Sequence, residues 1–144
     1  MSLAPGSVAS APSRIARVRD PLLAAGTIAA ATVALHFRDP HVTHSWGVCP
    51  LYAMTGIYCP GCGGLRAVND LTNGQLGAAA SSNLLFVAAI PFLAAIFARW
   101  SLAAWQGRRV DVLPPLSRPV RIGLVALVVV FTLARNWPGS WLAP

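Results

Sequence analysis

The chain has 144 residues, of which 56% are hydrophobic and only 10% are charged, and its mean hydropathy is +0.60. Because a typical soluble domain has about a quarter of its residues charged, this chain has too little polar surface to cover a globule in water. The net charge is +7 and every basic residue is an arginine. The arginines lie at the edges of apolar segments and not on one patch, which argues against nucleic-acid binding.

The N-terminal arm, residues 1–19, is rich in Ala, Ser, Pro and Gly and contains three arginines. Its lack of hydrophobic periodicity predicts disorder. The first apolar block follows at residues 21–37, and Asp20 and Pro21 are typical of a helix start. At about 1.5 Å per residue this block extends roughly 25 Å, close to the apolar thickness of a membrane. No small-residue cleavage site precedes a mature domain, which favours a retained helix over a signal peptide.

A polar section, residues 38–75, separates the first two apolar blocks and contains all three cysteines. Within it Leu65, Val68 and Leu71 recur at helical spacing, and Asn73-Gly74 is a typical helix stop. The pattern predicts a short amphipathic helix over residues 64–72, with Cys62 just before its N-terminus.

The second apolar block predicts a helix over residues 76–98, in which Pro91 is tolerated as a kink. The third predicts a helix over residues 120–135, whose uncharged core is too short to span alone, so Arg121 and Arg135 are expected to extend to opposite membrane surfaces. We therefore expect an all-α membrane protein with one membrane domain, residues 20–144. It would have three transmembrane helices, with the cysteine-rich loop and the short helix between the first two.

The arginine distribution predicts the topology. Three arginines lie in the N-terminal arm and five at positions 99–121, whereas the cysteine-bearing connection has two arginines against two aspartates. The positive-inside rule then places the N-terminus and the second connection in the cytoplasm and the cysteine-bearing connection outside. The predicted location is the inner (plasma) membrane of a bacterium.

The most informative segment is residues 49–66, which we call the cysteine loop. Cys49-Pro50 and Cys59-Pro60 are paired steps, and Thr55-Gly56 between them has the composition of a tight turn. Glycines around Cys59 and Cys62 lower the steric cost of a sharp backbone path. The three sulfur atoms are therefore predicted to converge.

The pattern C-P-x4-T-G-x2-C-P-G-C-G-x2-R-A, from Cys49 to Ala67, resembles the signature of bacterial membrane proteins grouped as domain of unknown function 2752. Arg135-Asn136 is similar to a pair near the C-terminus of that family. Asn83-Leu84-Leu85 departs from the family's Asn-Pro-Leu by lacking the proline. The resemblance covers about residues 20–140 and implies a small multi-helix membrane protein without an assigned activity.

Three interpretations of the cysteines remain open. A metal site, with zinc as the candidate ion, would use Cys49, Cys59 and Cys62, with His44 or His41 as a fourth ligand. A redox site would use the Cys59–Cys62 pair, with Cys49 as an exchange partner and a thiol pKa lowered by the following helix N-terminus. A structural role would be a disulfide or close packing in an ordered cap. Residues predicted to shape the loop or bind a partner are Pro60, Gly61, Gly63, Arg66 and Asn83.

The favoured function is a non-catalytic accessory or scaffold subunit whose cysteine loop is the functional face. A membrane thiol–disulfide or metal-dependent redox protein is the alternative. No Ser-His-Asp set, carboxylate pair, Walker loop or dinucleotide fingerprint is present, and four acidic residues offer few acid–base candidates. The expected partners are the lipid bilayer and either a membrane protein or a second copy of the chain, because helices with small-residue faces associate in membranes.

Overall fold

A computed structural model of the protein describes residues 13–42, 45–108 and 115–143. Within these residues it contains five helices and no strand. They are α1 (Arg14–Phe37), α2 (Pro50–Thr55), α3 (Gly64–Thr72), α4 (Leu76–Gln106) and α5 (Arg118–Arg135). The all-α class is therefore confirmed, and α3 has the bounds predicted for the short amphipathic helix.

The first helix begins earlier than predicted. It starts at Arg14, because the Ser13 hydroxyl accepts a hydrogen bond from the Ala16 amide at 3.3 Å and so provides an N-cap. Pro21, predicted as the first helical residue, lies inside the helix and is buried. Residues 14–19 are therefore helical and not part of a disordered arm, whereas residues 1–12 lie outside the described part of the chain.

The fourth helix is longer than predicted and is interrupted at a different place. It continues to Gln106, where Gly107 ends it with a φ of 71°. Pro91 lies within the helix, but the non-helical backbone is at Asn83, with φ −161° and ψ 91°. The Asn83 side-chain oxygen accepts a hydrogen bond from the Phe86 amide at 2.9 Å, so Asn83 acts as an internal N-cap for the longer segment.

Helices α1, α3 and α4 pack against one another. At one end of this group, the Arg14 guanidinium lies over the Trp105 ring at 5.9 Å, which brings the start of α1 beside the end of α4. At the other end, the Asn69 side-chain amide donates to the Leu35 carbonyl at 2.8 Å. The group thus has an arginine-rich end and an opposite end that carries the cysteine loop.

Two helices, α1 and α4, are long and apolar enough to cross a membrane by length and composition. Helix α5 has 18 residues but contains Arg118, Arg121 and Arg135, and it is not among these candidates. Among the described residues it also lacks the extensive helix packing of α1, α3 and α4. Its end is instead joined to the cysteine loop by polar side chains.

Candidate functional site

The three cysteines converge, as their surroundings in the sequence predicted. Cys49 is the N-cap of α2, and Gly56 ends that helix with a φ of 69°, so the chain reverses and returns Cys59 toward Cys49. The Sγ atoms of Cys49 and Cys59 are 3.6 Å apart, and those of Cys59 and Cys62 are 3.2 Å apart. All three sulfurs lie within 4.8 Å of one another and all are free thiols, which is a spacing at which they could hold a metal ion.

A buried arginine supports the loop from beneath. The Arg135 side chain is 0% exposed, and its terminal nitrogens donate to the carbonyl oxygens of Cys59 at 3.0 Å, Pro60 at 3.4 Å and Cys62 at 3.1 Å. Arg135 was predicted to extend to a membrane surface, and its side chain is directed against the cysteine loop. Turning inward is favourable because one planar guanidinium donates to three carbonyls of the tight Cys-Pro-Gly-Cys turn.

Two asparagines complete this support. Asn83 is 0% exposed, and its amide donates to the Pro60 and Cys62 carbonyls, each at 2.9 Å. Asn136 contacts the backbone of Tyr58 in both directions, accepting from the amide at 2.8 Å and donating to the carbonyl at 2.9 Å. These two hydrogen bonds are the same pair that a residue of an adjacent β-strand would form with the backbone of Tyr58. Together, Asn83, Arg135 and Asn136 fix the backbone of residues 58–62.

The other predicted loop residues have distinct roles. The Pro60 carbonyl accepts bonds from both Asn83 and Arg135. Gly63 has a φ of 78° as the N-cap of α3, a conformation that favours glycine. Gly61 borders the thiols, since a Cβ atom added there would lie 3.9 Å from the Cys59 Sγ. Arg66 does not contact the loop carbonyls, and its Nε donates instead to the Pro40 carbonyl at 3.5 Å.

A polar cluster joins α3 to its neighbours. Asp70 is buried, with His41 Nε2 at 2.9 Å from one carboxylate oxygen and the Ser82 hydroxyl donating to the other at 2.8 Å. Asp70 therefore pairs with His41 and not with Arg66, although Arg66 lies one turn before it on α3. His36 Nδ1 lies 3.1 Å from the Thr72 hydroxyl. His44, predicted as a fourth metal ligand, lies outside the described residues.

The thiols have unequal environments. Backbone hydrogen bonding from Tyr52, followed by the Cys62 side chain, lowers the pKa of Cys49. Burial, followed by hydrogen bonds with the other two thiols, raises the pKa of Cys62 to about 12. The redox interpretation expected a lowered pKa at the helix N-terminus, and for Cys62 that expectation is wrong, because desolvation and neighbouring thiols outweigh the helix.

A cavity of about 490 Å³ lies beside the thiols. Its wall includes Cys49, Cys62 and Arg66, together with aromatic side chains of Trp46 and Tyr52. The Tyr52 ring stacks on that of Tyr58, with centroids 4.5 Å apart. The site thus combines two thiols, one cation and an aromatic wall around a space large enough for a small ligand.

The sequence interpretation did not identify how the loop is held. Arg135 was predicted to extend to a membrane surface and was noted with Asn136 as a pair similar to a family feature, whereas Asn83 was among the residues predicted to shape the loop or bind a partner. A signal was available, because a charged and an amide side chain at the end of an apolar helix need polar partners. The partners could not be identified, since they are backbone carbonyls more than 70 residues away.

Comparison with known proteins gives one match. Residues 49–97, from the first cysteine into α4, match the model of the family described as Protein of unknown function (DUF2752). No curated protein and no solved structure matches the chain. The match confirms the suspected family over residues 49–97.

Proposed function

We propose that this chain is an integral membrane protein in which Cys49, Cys59 and Cys62 bind one metal ion, forming a non-catalytic centre on its functional face. The observation that carries the proposal is the convergence of three free thiols within 4.8 Å. In a tetrahedral zinc–thiolate centre, with Zn–S about 2.3 Å, adjacent sulfurs are about 3.8 Å apart. The spacings of 3.6 and 3.2 Å need only small side-chain rotations to reach that value.

The charge of Arg135 supports this proposal. A fully buried guanidinium requires a compensating negative charge nearby. Across the described residues the ion pair present is His41–Asp70. Arg135 is hydrogen-bonded to neutral carbonyls and lies near the rings of Phe131 and Tyr58, and its Nε is unpartnered. Three thiolates and one divalent cation carry a single net negative charge, which Arg135 would neutralise.

The rigidity of the loop supports it as well. Metal sites gain affinity when their ligands are held in place before the ion binds. Asn83, Arg135 and Asn136 bond the backbone on both sides of Cys59. A loop held in place by a disulfide bond would not require three further side chains bonded to its backbone.

The membrane setting rests on the surfaces of α1 and α4. Leu22, Leu23, Ile28 and Val33 of α1 and Phe92 of α4 are each more than half exposed. Such a concentration of exposed apolar side chains on candidate spans is favourable in lipid and unfavourable in water. We infer that the arginine-rich end lies in the cytoplasm of a bacterium and the cysteine loop lies outside the inner membrane.

An accessory or scaffold role fits the position of α5. Every residue of α5 from Val120 to Val130 is exposed, while the C-terminal end of the helix holds the cysteine loop through Arg135. As the third span, α5 would present this apolar surface to lipid and to a partner helix, either a second copy or another membrane subunit. The metal centre would then fix the orientation of that helix.

Metal analysis of the protein purified in mild detergent tests the proposal. We expect close to one thiophilic metal ion per chain in the wild type and loss of that metal in Cys62→Ser. Thr27→Ala, which removes a hydroxyl from an exposed position on α1, is the control and should retain the metal. Metal-free wild-type protein that readily forms a Cys59–Cys62 disulfide would favour the redox alternative instead.

A further inference from the structure

Within the described part of the chain, the cavity beside the thiols contains a cation that forms no ion pair. Arg66 lines the cavity, and its single hydrogen bond within the described residues runs from Nε to the Pro40 carbonyl. Its two terminal nitrogens are therefore available. The carboxylate one turn away, Asp70, is buried and engaged by His41 and Ser82.

The thiols are arranged asymmetrically around the same cavity. Cys49 and Cys62 form part of its wall, whereas Cys59 does not, and its carbonyl contacts Arg135. An ion held by these three sulfurs would have a remaining coordination position, and the two sulfurs in the wall would place that ion at the edge of the cavity. Metal centres with three protein ligands fill that position with water or an external ligand.

The cavity wall limits the chemistry of such a ligand. It offers a guanidinium, which binds planar or tetrahedral oxyanions through paired hydrogen bonds, and the rings of Trp46 and Tyr52. A volume of about 490 Å³ accommodates a small organic anion or the headgroup of one lipid. A metal–thiolate site with a purely structural role would require neither a cavity of this size nor the Arg66 guanidinium in its wall.

We propose that this cavity binds an oxyanion, which contacts Arg66 and occupies the open coordination position of the metal held by the three cysteines. The ligand is a carboxylate or phosphate group, carried either by a soluble molecule or by an anionic phospholipid. The inference rests on the metal centre proposed above and adds to it a ligand class and a specificity residue.

Cobalt substitution tests this inference, because Co²⁺ bound by thiolates has visible absorption bands that change with the fourth ligand. The Co²⁺-loaded protein in non-ionic detergent is titrated with inorganic phosphate, and it is compared in nanodiscs of phosphatidylcholine with and without phosphatidylglycerol. We expect a saturable change in the visible bands. A response to phosphate identifies a soluble oxyanion as sufficient, and a response confined to phosphatidylglycerol identifies the lipid headgroup.

Arg66→Met should bind cobalt with the same thiolate bands and weaken the oxyanion response about tenfold or more. The control is Arg38→Met, because Arg38 is an exposed neighbouring arginine, stacked 5.3 Å from the Trp46 ring, that does not line the cavity. An equal loss in both variants, or no response in the wild type, would overturn the oxyanion site alone. Absence of the cobalt–thiolate bands would overturn the metal centre and this inference together.

Discussion

At the scale of single residues, the site depends on polar side chains that are buried without being part of the cysteine motif. Arg135 and Asn83 are the largest fully buried side chains among the described residues. Both donate to carbonyls of the turn that carries Cys59 and Cys62. The Pro60 and Cys62 carbonyls accept hydrogen bonds from both side chains. Removing either side chain would take away one of the two bonds at each carbonyl, and each lost bond costs about 0.5–3 kcal/mol.

Arg135 is the first residue to test. Arg135→Met removes three hydrogen bonds, so we expect a loss of about 2–5 kcal/mol in the free energy of unfolding and weaker metal binding. Arg135→Lys retains the charge without the planar guanidinium. We expect its free energy of unfolding to lie between those of the wild type and Arg135→Met. The measurement is thermal unfolding in detergent with and without added metal. The control is Arg121→Met on the exposed start of α5, and an equal loss there would contradict the loop-specific role.

The thiols should differ in reactivity in the metal-free protein. The pKa of Cys49 is lowered and that of Cys62 is raised to about 12, so Cys49 has the larger thiolate fraction at about pH 8. We expect alkylation of Cys49 before Cys62, measured by mass spectrometry of iodoacetamide-treated peptides. The raised pKa means that the folded state favours the neutral Cys62 thiol. The stability that this thiol contributes is fully present below the ordinary thiol pKa and is lost as the pH rises to about 12. Faster labelling of Cys62 would contradict these environments.

Gly63 and Gly64 form a matched pair for testing the turn into α3. Gly63 has a φ of 78°, whereas Gly64 is the first helical residue and a Cβ there would meet nothing within 4 Å. Gly63→Ala should cost about 1–2 kcal/mol of unfolding free energy and reduce metal retention. Gly64→Ala should be neutral or slightly stabilising. Similar effects of the two substitutions in thermal unfolding would refute a conformational requirement at Gly63.

At the scale of the helices, α4 has two functions divided at Asn83. Its first turns pack with α3, where Ser82 bonds to Asp70, and the remainder forms a candidate span. The interruption frees the Asn83 side chain to cap the second segment and to hold two loop carbonyls. A continuous helix would direct the same side chain along its own surface.

Asn83 therefore tests the coupling between α4 and the cysteine loop. Asn83→Asp keeps the acceptor for the Phe86 amide and loses the donors to the loop, whereas Asn83→Ala loses both. We expect both variants to lose metal, with a cost in unfolding free energy of about 2–4 kcal/mol for alanine. Asn73→Ala, at the exposed end of α3, is the control and should cost less than about 1 kcal/mol. Full metal retention in Asn83→Asp would show that its donors are dispensable.

At the scale of the whole molecule, the chain has opposite ends of different character. Arg14 and Trp105 mark one end, and the cysteine loop with Arg135 marks the other. From the positive-inside rule we propose that the arginine-rich end lies in the cytoplasm. Membrane insertion in this orientation would place the metal centre at the outer surface.

Labelling of intact spheroplasts tests this orientation. The wild type, depleted of metal by a chelator, should react with a membrane-impermeant maleimide added from outside. A variant in which all three cysteines are replaced by alanine, with the added substitution Ser13→Cys, should react only after the membrane is opened. The reverse pattern would place the cysteine loop in the cytoplasm.

The sequence predicted some parts of the fold and site better than others. The α3 bounds and the convergence of the thiols followed from local features, namely helical spacing and the Cys-Pro and Gly-Cys-Gly steps. The start of α1 was missed because the Ser13 cap outweighs the signal at Asp20-Pro21. The six-residue α2 was missed because so short a helix leaves little periodicity.

The sequence by itself determined the helical class, the two long apolar helices and the place of the cysteine motif, because composition and local backbone preferences act over a few residues. Only the tertiary structure decided what holds that motif. Arg135 and Asn83 satisfy carbonyls of residues distant in the chain, and Asp70 pairs with His41 and not with the nearer Arg66. These pairings depend on which buried polar groups come together when the helices pack. They form because a buried carbonyl or charge without a partner has a large free-energy cost.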